Sequence, residues 1–375
     1  MVIDAVPVSE VFRCVVAFLL LKLTVLLANL VQFPILEAGG PGRSTSDRTT
    51  ASPPGEVSLL VPMRNEAGTL PQSLPAMLDQ PVGQLVILDD GSVDGSLQVA
   101  RSLAAGYPHA EVVLGVPAPA SWVGKNWACH QLGLRASGSI LMFCDADVVL
   151  GPGAVQASLD AMGRQRADVF SVFPRQITRS WGEHLLVPLI DDVLLCLLPF
   201  GLLSVDVPQA ATANGTLLAF HRKAYQQLDG FAGVRDQIME DVMLARRTRR
   251  AGLKLGLALG GGLVATRMYA GYAETVVGLG RGLLPAFGGH RLLLGAAFGW
   301  HVIAYTAPLW LLSRHQRKWL LPLVLGLLER LLVETKTRQG TGWQAALVPL
   351  SPLAATPVVM QAMRRRQRWK GREYT

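Results

Sequence analysis

The chain reads as an α/β domain on a mostly parallel sheet, with membrane-spanning helices at both ends. Three observations predict this. Between Val57 and Phe143, short apolar runs alternate with helix-patterned segments, the signature of a parallel sheet with helices on both faces. The 375 residues are 50% hydrophobic and only 17% charged, where about a quarter charged is usual for a soluble domain. The apolar excess collects at the two ends and is not spread evenly.

The first segment, Val11 to Ile35, is almost wholly apolar, broken by Arg13, Lys22, Asn29 and Gln32. It is long enough to cross a bilayer, which takes about 20 residues. The first ten residues carry Asp4 and Glu10 and no positive charge, unlike the start of a cleaved signal peptide. Residues 1–36 therefore read as an uncleaved membrane anchor. Residues 37–55 are rich in Gly, Pro, Ser and Thr and read as a flexible linker.

Residues 56–282 form the α/β domain. Strands are expected at Val57–Val61, Leu85–Leu88, Glu111–Leu114, Ile140–Phe143 and Ala213–Phe220. Helices are expected at Leu70–Leu78, Ser96–Ala105, Trp127–Ala136 and Met239–Ala251, the last closed by Gly252 as a C′ glycine. Leu185 to Val207 is very apolar, but Pro188, Asp191, Asp192, Pro199 and Asp206 interrupt it. Aspartates in hydrocarbon are costly, so the stretch is not read as a span. It fits a membrane-interface segment, the wall of an apolar acceptor groove, or an ordinary buried helix pair.

Residues 283–362 hold three further apolar runs, Leu283–Leu312, Trp319–Val333 and Trp343–Met360, and imply two or three membrane segments. Residues 363–375 are a basic tail. Basic residues occur both in 314–318 and in 364–372, which leaves the topology of these segments open. The net charge of +8, much of it in that tail, favours an anionic membrane surface or a phosphorylated substrate over nucleic acid. The four cysteines form no Cys-x-x-Cys pair and the histidines no metal-type spacing, so neither zinc nor disulfides are indicated.

The chemistry-bearing residues cluster where strands end, which is where open α/β sheets bind ligands. Cys144-Asp145-Ala146-Asp147 follows a buried strand. Two carboxylates one residue apart suit a hard divalent cation shared with substrate phosphates. Pro62-Met63-Arg64-Asn65-Glu66 ends the first strand, and its proline should stop the ladder. Asp89-Asp90-Gly91-Ser92-Val93-Asp94-Gly95 ends the second, with carboxylates able to accept from base N–H or ribose hydroxyl groups. Trp122-Val123-Gly124-Lys125-Asn126-Trp127 supplies a cation for a phosphate, and Glu240-Asp241 opens a helix. Singly, each has a plain structural reading: an acidic turn capping a helix, or a complement to a helix dipole.

Together, and in this order over about Val57 to Tyr269, these motifs resemble the family 2 glycosyltransferases. That resemblance implies the GT-A fold, a nucleotide-sugar-binding domain with a Rossmann-like mixed sheet and flanking helices. Within the family, the Trp122–Trp127 segment, the Arg267-Met268-Tyr269 triplet and the placement of apolar segments resemble enzymes that glycosylate carotenoid or hopanoid lipids. The resemblance implies roles residue by residue. Pro62, Arg64 and Glu66 match the first nucleotide-contacting loop, and Asp89 and Asp90 the pair holding uracil and ribose. Asp145 and Asp147 match the metal motif, with Asp147 ligating Mg²⁺ or Mn²⁺ directly and Asp145 holding the ribose or a metal-bound water. Lys125 is a helper on the diphosphate, Asp241 matches the catalytic base and Glu240 its neighbour. The Gln-x-x-Arg-Trp motif of processive members is absent, with only Gly278-Leu279-Gly280-Arg281-Gly282 in its place. This argues for a single transfer and against polymer synthesis.

The expected reaction is inverting transfer of one sugar, with UDP-glucose the default donor, to a hydroxyl of a membrane lipid. The expected location is the inner membrane, multi-pass, with the catalytic domain facing the cytoplasm where nucleotide sugars are made. Transfer to polyprenyl phosphate is the rival with the same motifs. A non-catalytic membrane protein retaining the fold is the rival from another class. A nucleotidyltransferase fits the Glu240-Asp241 pair poorly.

Overall fold

Buried β-branched and aliphatic runs specify the central sheet, and the computed structural model shows seven of them hydrogen-bonded side by side. It describes residues 8–38, 54–203, 207–340, 342–364, 367–369 and 372–374, so most of the expected linker lies outside the described residues. In chain order, the first half comprises α1 (Val8–Gln32), β1 (Val57–Met63), α2 (Leu70–Leu78), β2 (Gln84–Asp89), α3 (Ser96–Ala104), β3 (Ala110–Leu114), α4 (Gly124–Arg135), β4 (Ile140–Cys144), β5 (Val148–Leu150), α5 (Ala154–Arg164), β6 (Val169–Phe173), β7 (Arg175–Gln176), α6 (Trp181–Leu186) and α7 (Leu189–Leu197). There follow α8 (Phe200–Leu203), β8 (Leu217–His221), α9 (Arg222–Gln227), α10 (Glu240–Arg250), β9 (Leu255–Leu259), β10 (Val264–Thr266), α11 (Tyr272–Ala286), α12 (Arg291–His301), α13 (Ala307–Ser313), α14 (Leu320–Thr337), α15 (Ser351–Ala354) and α16 (Thr356–Ala362). The chain divides into two compact units. One comprises Phe33–Ile177 and Gly201–Met268, the other Met1–Gln32, Thr178–Phe200 and Tyr269–Thr375.

The first unit is the α/β domain. Its sheet has the order β3-β2-β1-β4-β8-β6-β9. All neighbours are parallel except β8, which runs antiparallel to both β4 and β6. β4, β6 and β9 are buried along their whole length, as strands covered on both faces must be. A second, three-stranded sheet has the order β5-β10-β7 and follows directly from the acidic turn after β4.

Three elements differ from the sequence expectation in ways that shape the site. β1 does not stop at Pro62, which stays in register with Leu88. Pairing of β1 with β4 has already ended at Leu60, so a missing N–H on that open side costs no ladder bond. α4 begins at Gly124, three residues earlier than expected, which puts Lys125 in its first turn. β8 begins at Leu217 and not at Ala213, leaving Asn214, Gly215 and Thr216 as a loop beside the acidic turn. Gly252 follows α10 with φ +71°, the left-handed C′ position the sequence implies.

The second unit is helical, and its polar interruptions find partners inside it. Lys22 of α1 is buried, and its Nζ lies 2.7 Å from Glu329 Oε1 and donates to Tyr305 Oη at 2.5 Å. Arg330 Nη1 pairs with Asp192 Oδ2 at 2.8 Å, and Gln339 donates to Asp191. Meanwhile Leu20, Leu21, Leu27 and Val31 of α1 are exposed. Among the described residues, two helices are long and apolar enough to cross a membrane, Ser9–Gln32 and Arg291–Ser313. The latter joins α12 to α13 through a π-turn at Val302–Thr306, where Pro308 lacks the N–H a regular helix would use. A pair bent by 42°, Trp343–Ala354 and Thr356–Ala362, adds a third candidate. The middle run, α14, is not among them; it carries Glu329, Arg330, Glu334 and Lys336.

Candidate active site

Four chain segments meet at the carboxyl end of β4. The turn after β4 is closed by Val148 N–H to Asp145 O at 3.2 Å. β8 is held to it by Asp145 N–H to Thr216 O at 3.0 Å, because the antiparallel register pairs Cys144 with Leu217. That contact brings Gly215 to the mouth of the sheet. The first turns of α4 and α10 complete the arrangement.

Lys125 is the hub. Its Nζ lies 2.8 Å from Asp145 Oδ1, 3.1 Å from Asp145 Oδ2 and 3.2 Å from Glu240 Oε1. Burial works against its charge, but the attraction of Asp145 and Glu240 outweighs this and holds the ammonium well above its usual range. Asp241 Oδ2 accepts from Gly215 N–H at 2.9 Å, and its Oδ1 from Val242 N–H at 2.7 Å. Burial, then repulsion from Glu240, pushes the Asp241 carboxyl up from 3.8 to about 7, against Lys125 and the two N–H groups. Phe143, Leu218 and Phe231 supply the apolar floor of this pocket, which Pro62, Lys125, Asp145, Gly215, Glu240 and Asp241 also line. Phe143 and Phe231 meet edge to face at 4.8 Å.

A second group lies in the loops after β1 and β2, which are stitched together. Arg64 Nη1 donates to the Asp90 carbonyl. Asn65 N–H donates to Ser92 Oγ at 2.9 Å, Glu66 N–H to Ser96 Oγ at 2.7 Å, and Ala67 N–H to Asp94 Oδ2 at 3.0 Å. Asp89 and Asp90 are both buried, and the Asp89 carboxylate accepts from Ser92 N–H at 3.3 Å. Gly91 and Gly95 take positive φ in this turn, which only glycine does without strain. The acidic turn is thus built partly from its own carboxylates.

Of the residues singled out in the sequence, Pro62, Lys125, Asp145, Glu240 and Asp241 share one pocket, while Arg64, Glu66, Asp89 and Asp90 belong to the adjacent stitched loops. Asp147 stands apart from both, with its Oδ2 accepting from Thr266 Oγ1 at 3.0 Å. The tryptophans of the Trp122–Trp127 segment do not line the pocket. They meet each other at 5.0 Å, and Trp127 Nε1 donates to Val116 O at 2.8 Å, anchoring the turn that presents Lys125. Gly215 and Thr266 were not singled out by sequence, since a loop glycine and a strand threonine carry no motif of their own; Asn126 lay inside the Trp122–Trp127 motif, where only Lys125 was given a role. Asp145 and Asp147, one residue apart on the turn after β4, offer half-buried carboxylate oxygens, the donor type a hard divalent cation takes.

Residues 58–228 match the family model "Glycosyl transferase family 2". The 4,4'-diaponeurosporenoate glycosyltransferase of Staphylococcus haemolyticus (strain JCSC1435) is 26% identical over 224 residues, 59% of this chain and 59% of that protein. Its namesake from Staphylococcus aureus (strain MRSA252) is 27% identical over 247 residues, 64% of each. The matched stretch therefore spans about six-tenths of the length of these relatives. Among solved structures, a mannosyltransferase from Pyrobaculum calidifontis in complex with GDP-Man and Mn²⁺ covers 94% of both chains at 16% identity and a TM-score of 0.47. Glucosyl-3-phosphoglycerate synthase from Mycobacterium tuberculosis, in complex with Mn²⁺, UDP and glucosyl-3-phosphoglycerate, covers 65% of this chain and 83% of that one at 20% identity and a TM-score of 0.42.

Proposed function

We propose, from the match of residues 58–228 to the family 2 glycosyltransferase model, that the chain transfers one sugar from a nucleotide sugar, UDP-glucose by default, to a hydroxyl of a membrane lipid of carotenoid or hopanoid type. The observation that carries this reading is the convergence of Asp145, Lys125, Glu240 and Asp241 on one pocket at the end of β4.

A lipid hydroxyl is a weak nucleophile. Asp241 takes its proton as the oxygen bonds to the anomeric carbon, and the bond from that carbon to the diphosphate oxygen breaks. The nucleoside diphosphate leaves and the anomeric centre inverts. A carboxyl near 7 suits this task, since a base works best with its pKa close to the working pH. Lys125 stays charged beside the leaving diphosphate and offsets the negative charge that grows there. Asp145 and Asp147 would hold Mg²⁺ or Mn²⁺, which supplies further charge stabilisation at the diphosphate. Asp90, with Asp89 and the Arg64–Glu66 loop, forms the surface for base and ribose. A pocket with three carboxylates and one ammonium suits a neutral acceptor better than a phosphorylated one.

Relatives named for 4,4'-diaponeurosporenoate, a carotenoid-type carboxylate, support the apolar class of the acceptor, while the choice of a hydroxyl rests on the pocket. The two candidate spans support residence in the membrane where such lipids lie, with the sugar-nucleotide domain on the cytoplasmic side of a bacterial-type inner membrane. The test is turnover of UDP-glucose by membrane fractions with Mn²⁺, wild type against Asp241→Asn, with mass spectrometry of the lipid extract. A hexose on a lipid alcohol, from wild type alone, is the expected result. A glycosylated polyprenyl phosphate would replace the acceptor in this reading. No product from any nucleotide sugar, with donor binding intact, would replace catalysis by a binding role.

A further inference from the structure

We infer that Asn126 is a positioning residue that sets the place of the base by pinning the chain leading into α10. The inference rests on the proposed role of Asp241. Asn126 is fully buried, at 0% exposure, in the first turn of α4. Its Nδ2 donates to Val234 O at 2.8 Å and to Gln237 O at 2.9 Å, with Arg235 O at 3.4 Å. Val123 N–H, one turn away, donates to Arg235 O at 2.8 Å. A single helical turn therefore holds the backbone of residues 234–237, and Glu240 and Asp241 follow directly.

Local structure does not fix that approach by itself. α10 begins without a side-chain cap at Met239. The two carboxylates that open the helix are aimed by whatever holds the preceding loop. Successive helical residues point about 100° apart, so Lys125 faces the pocket while Asn126 faces the loop. The pair forms a two-point clamp, with Asn126 on the loop backbone and Lys125 on the Glu240 carboxylate at 3.2 Å.

The amide is specifically required. It must present two N–H donors to carbonyls, and its Oδ1 is buried without a hydrogen-bond partner. A flipped amide would point oxygen at carbonyl oxygens, so the orientation is dictated by the loop. An unsatisfied buried acceptor is costly, and the fold carries that cost to keep the two donated bonds. Asn126→Asp keeps the shape and removes the donors, which places an acceptor against acceptors.

The experiment compares wild type, Asn126→Asp and Asn126→Ala in detergent-solubilised full-length protein. Hydrogen–deuterium exchange is read over residues 234–242 and over the central sheet, alongside UDP-glucose binding, kcat and KM with Mn²⁺. The expected result is at least tenfold faster exchange confined to 234–242 and a 10- to 100-fold fall in kcat. The KM for UDP-glucose and its binding should stay within threefold of wild type. Unchanged exchange, or unchanged kcat in both variants, overturns the inference. So does loss of donor binding together with faster exchange across the sheet, which would mark Asn126 as general support for the fold. Wild-type protein that binds the donor without turnover would sink the proposed reaction, while the exchange pattern would still decide the clamp.

Discussion

Asp241→Asn should inactivate the protein, and its stability relative to the wild type should rise with pH. The Asp241 carboxyl sits at about 7 in the folded protein, against an ordinary 3.8. At about 1.36 kcal/mol per unit, the ionised form is disfavoured by about 4 kcal/mol, an upper figure because the side chain is only half-buried. The sign follows from linkage. A raised carboxyl pKa leaves stability intact below pH 3.8 and removes it as pH rises through 7, because the unfolded chain releases its proton first. The wild type gives up part of that stability by pH 5 and nearly all of it by pH 8. The advantage of asparagine should therefore widen by roughly 3 kcal/mol between these two values. Activity runs the other way. In the wild type, kcat/KM should rise tenfold per pH unit below 7, with about 1% of its plateau at pH 5. Thermal unfolding of both proteins at pH 5 and 8, without added metal, reads the first effect, and the pH profile of kcat/KM reads the second. A profile flat from pH 5 to 8, or a stability difference equal at both pH values, would refute the assignment of an uphill base to this carboxylate.

Three further outcomes follow from the geometry. Thr266→Val removes the hydroxyl that donates to Asp147 Oδ2; the Mn²⁺ concentration for half-maximal activity should rise about 10-fold or more, as when other second-layer partners of metal ligands are lost, and an unchanged titration would exclude Asp147 as a ligand oriented by Thr266. A Cβ at Gly215 would lie 3.3 Å from both Glu240 Oε1 and Lys125 Nζ, so Gly215→Ala should lower kcat with little change in melting temperature, and normal turnover would show that this approach is not needed for the reaction. Lys22→Met strands Glu329 in the helical unit; by analogy with other broken buried pairs it should cost about 3–5 kcal/mol, read as a lower melting temperature in detergent, and Lys22→Met with Glu329→Gln should recover most of it.

The α/β domain was readable because its signals are local. Leu70–Leu78 is helical to the residue, since its apolar spacing and early proline act within one turn. Ile140–Cys144 is a strand because nothing but apolar residues occupies it. The misjudged boundaries are those set by distant partners. Pro62 stays in a strand because β4 has already left that edge. Leu217 starts β8 only where Cys144 can pair with it. In the helical unit, the charges that blur a hydropathy reading are Lys22, Asp192, Glu329 and Arg330. They are tolerable because residues up to 307 positions apart neutralise one another.

The candidate site shows the same division more sharply. The carboxylates and Lys125 could be named from sequence because strand ends and helix starts are visible there. Their relation could not. Lys125 faces both Asp145 and Glu240 only because the antiparallel strand β8 is threaded between β4 and β6, carrying Gly215 to the end of β4. The raised pKa of Asp241 is likewise a property of assembly: an apolar floor from β4, β8 and the loop before α10, and a like charge next door. Sequence supplies an acid at the start of a helix, where the helix dipole would ordinarily favour its ionised form. Burial and Glu240 override that preference, and this reversal is what the proposed role of Asp241 as a base requires of a carboxylate that would otherwise merely cap a helix.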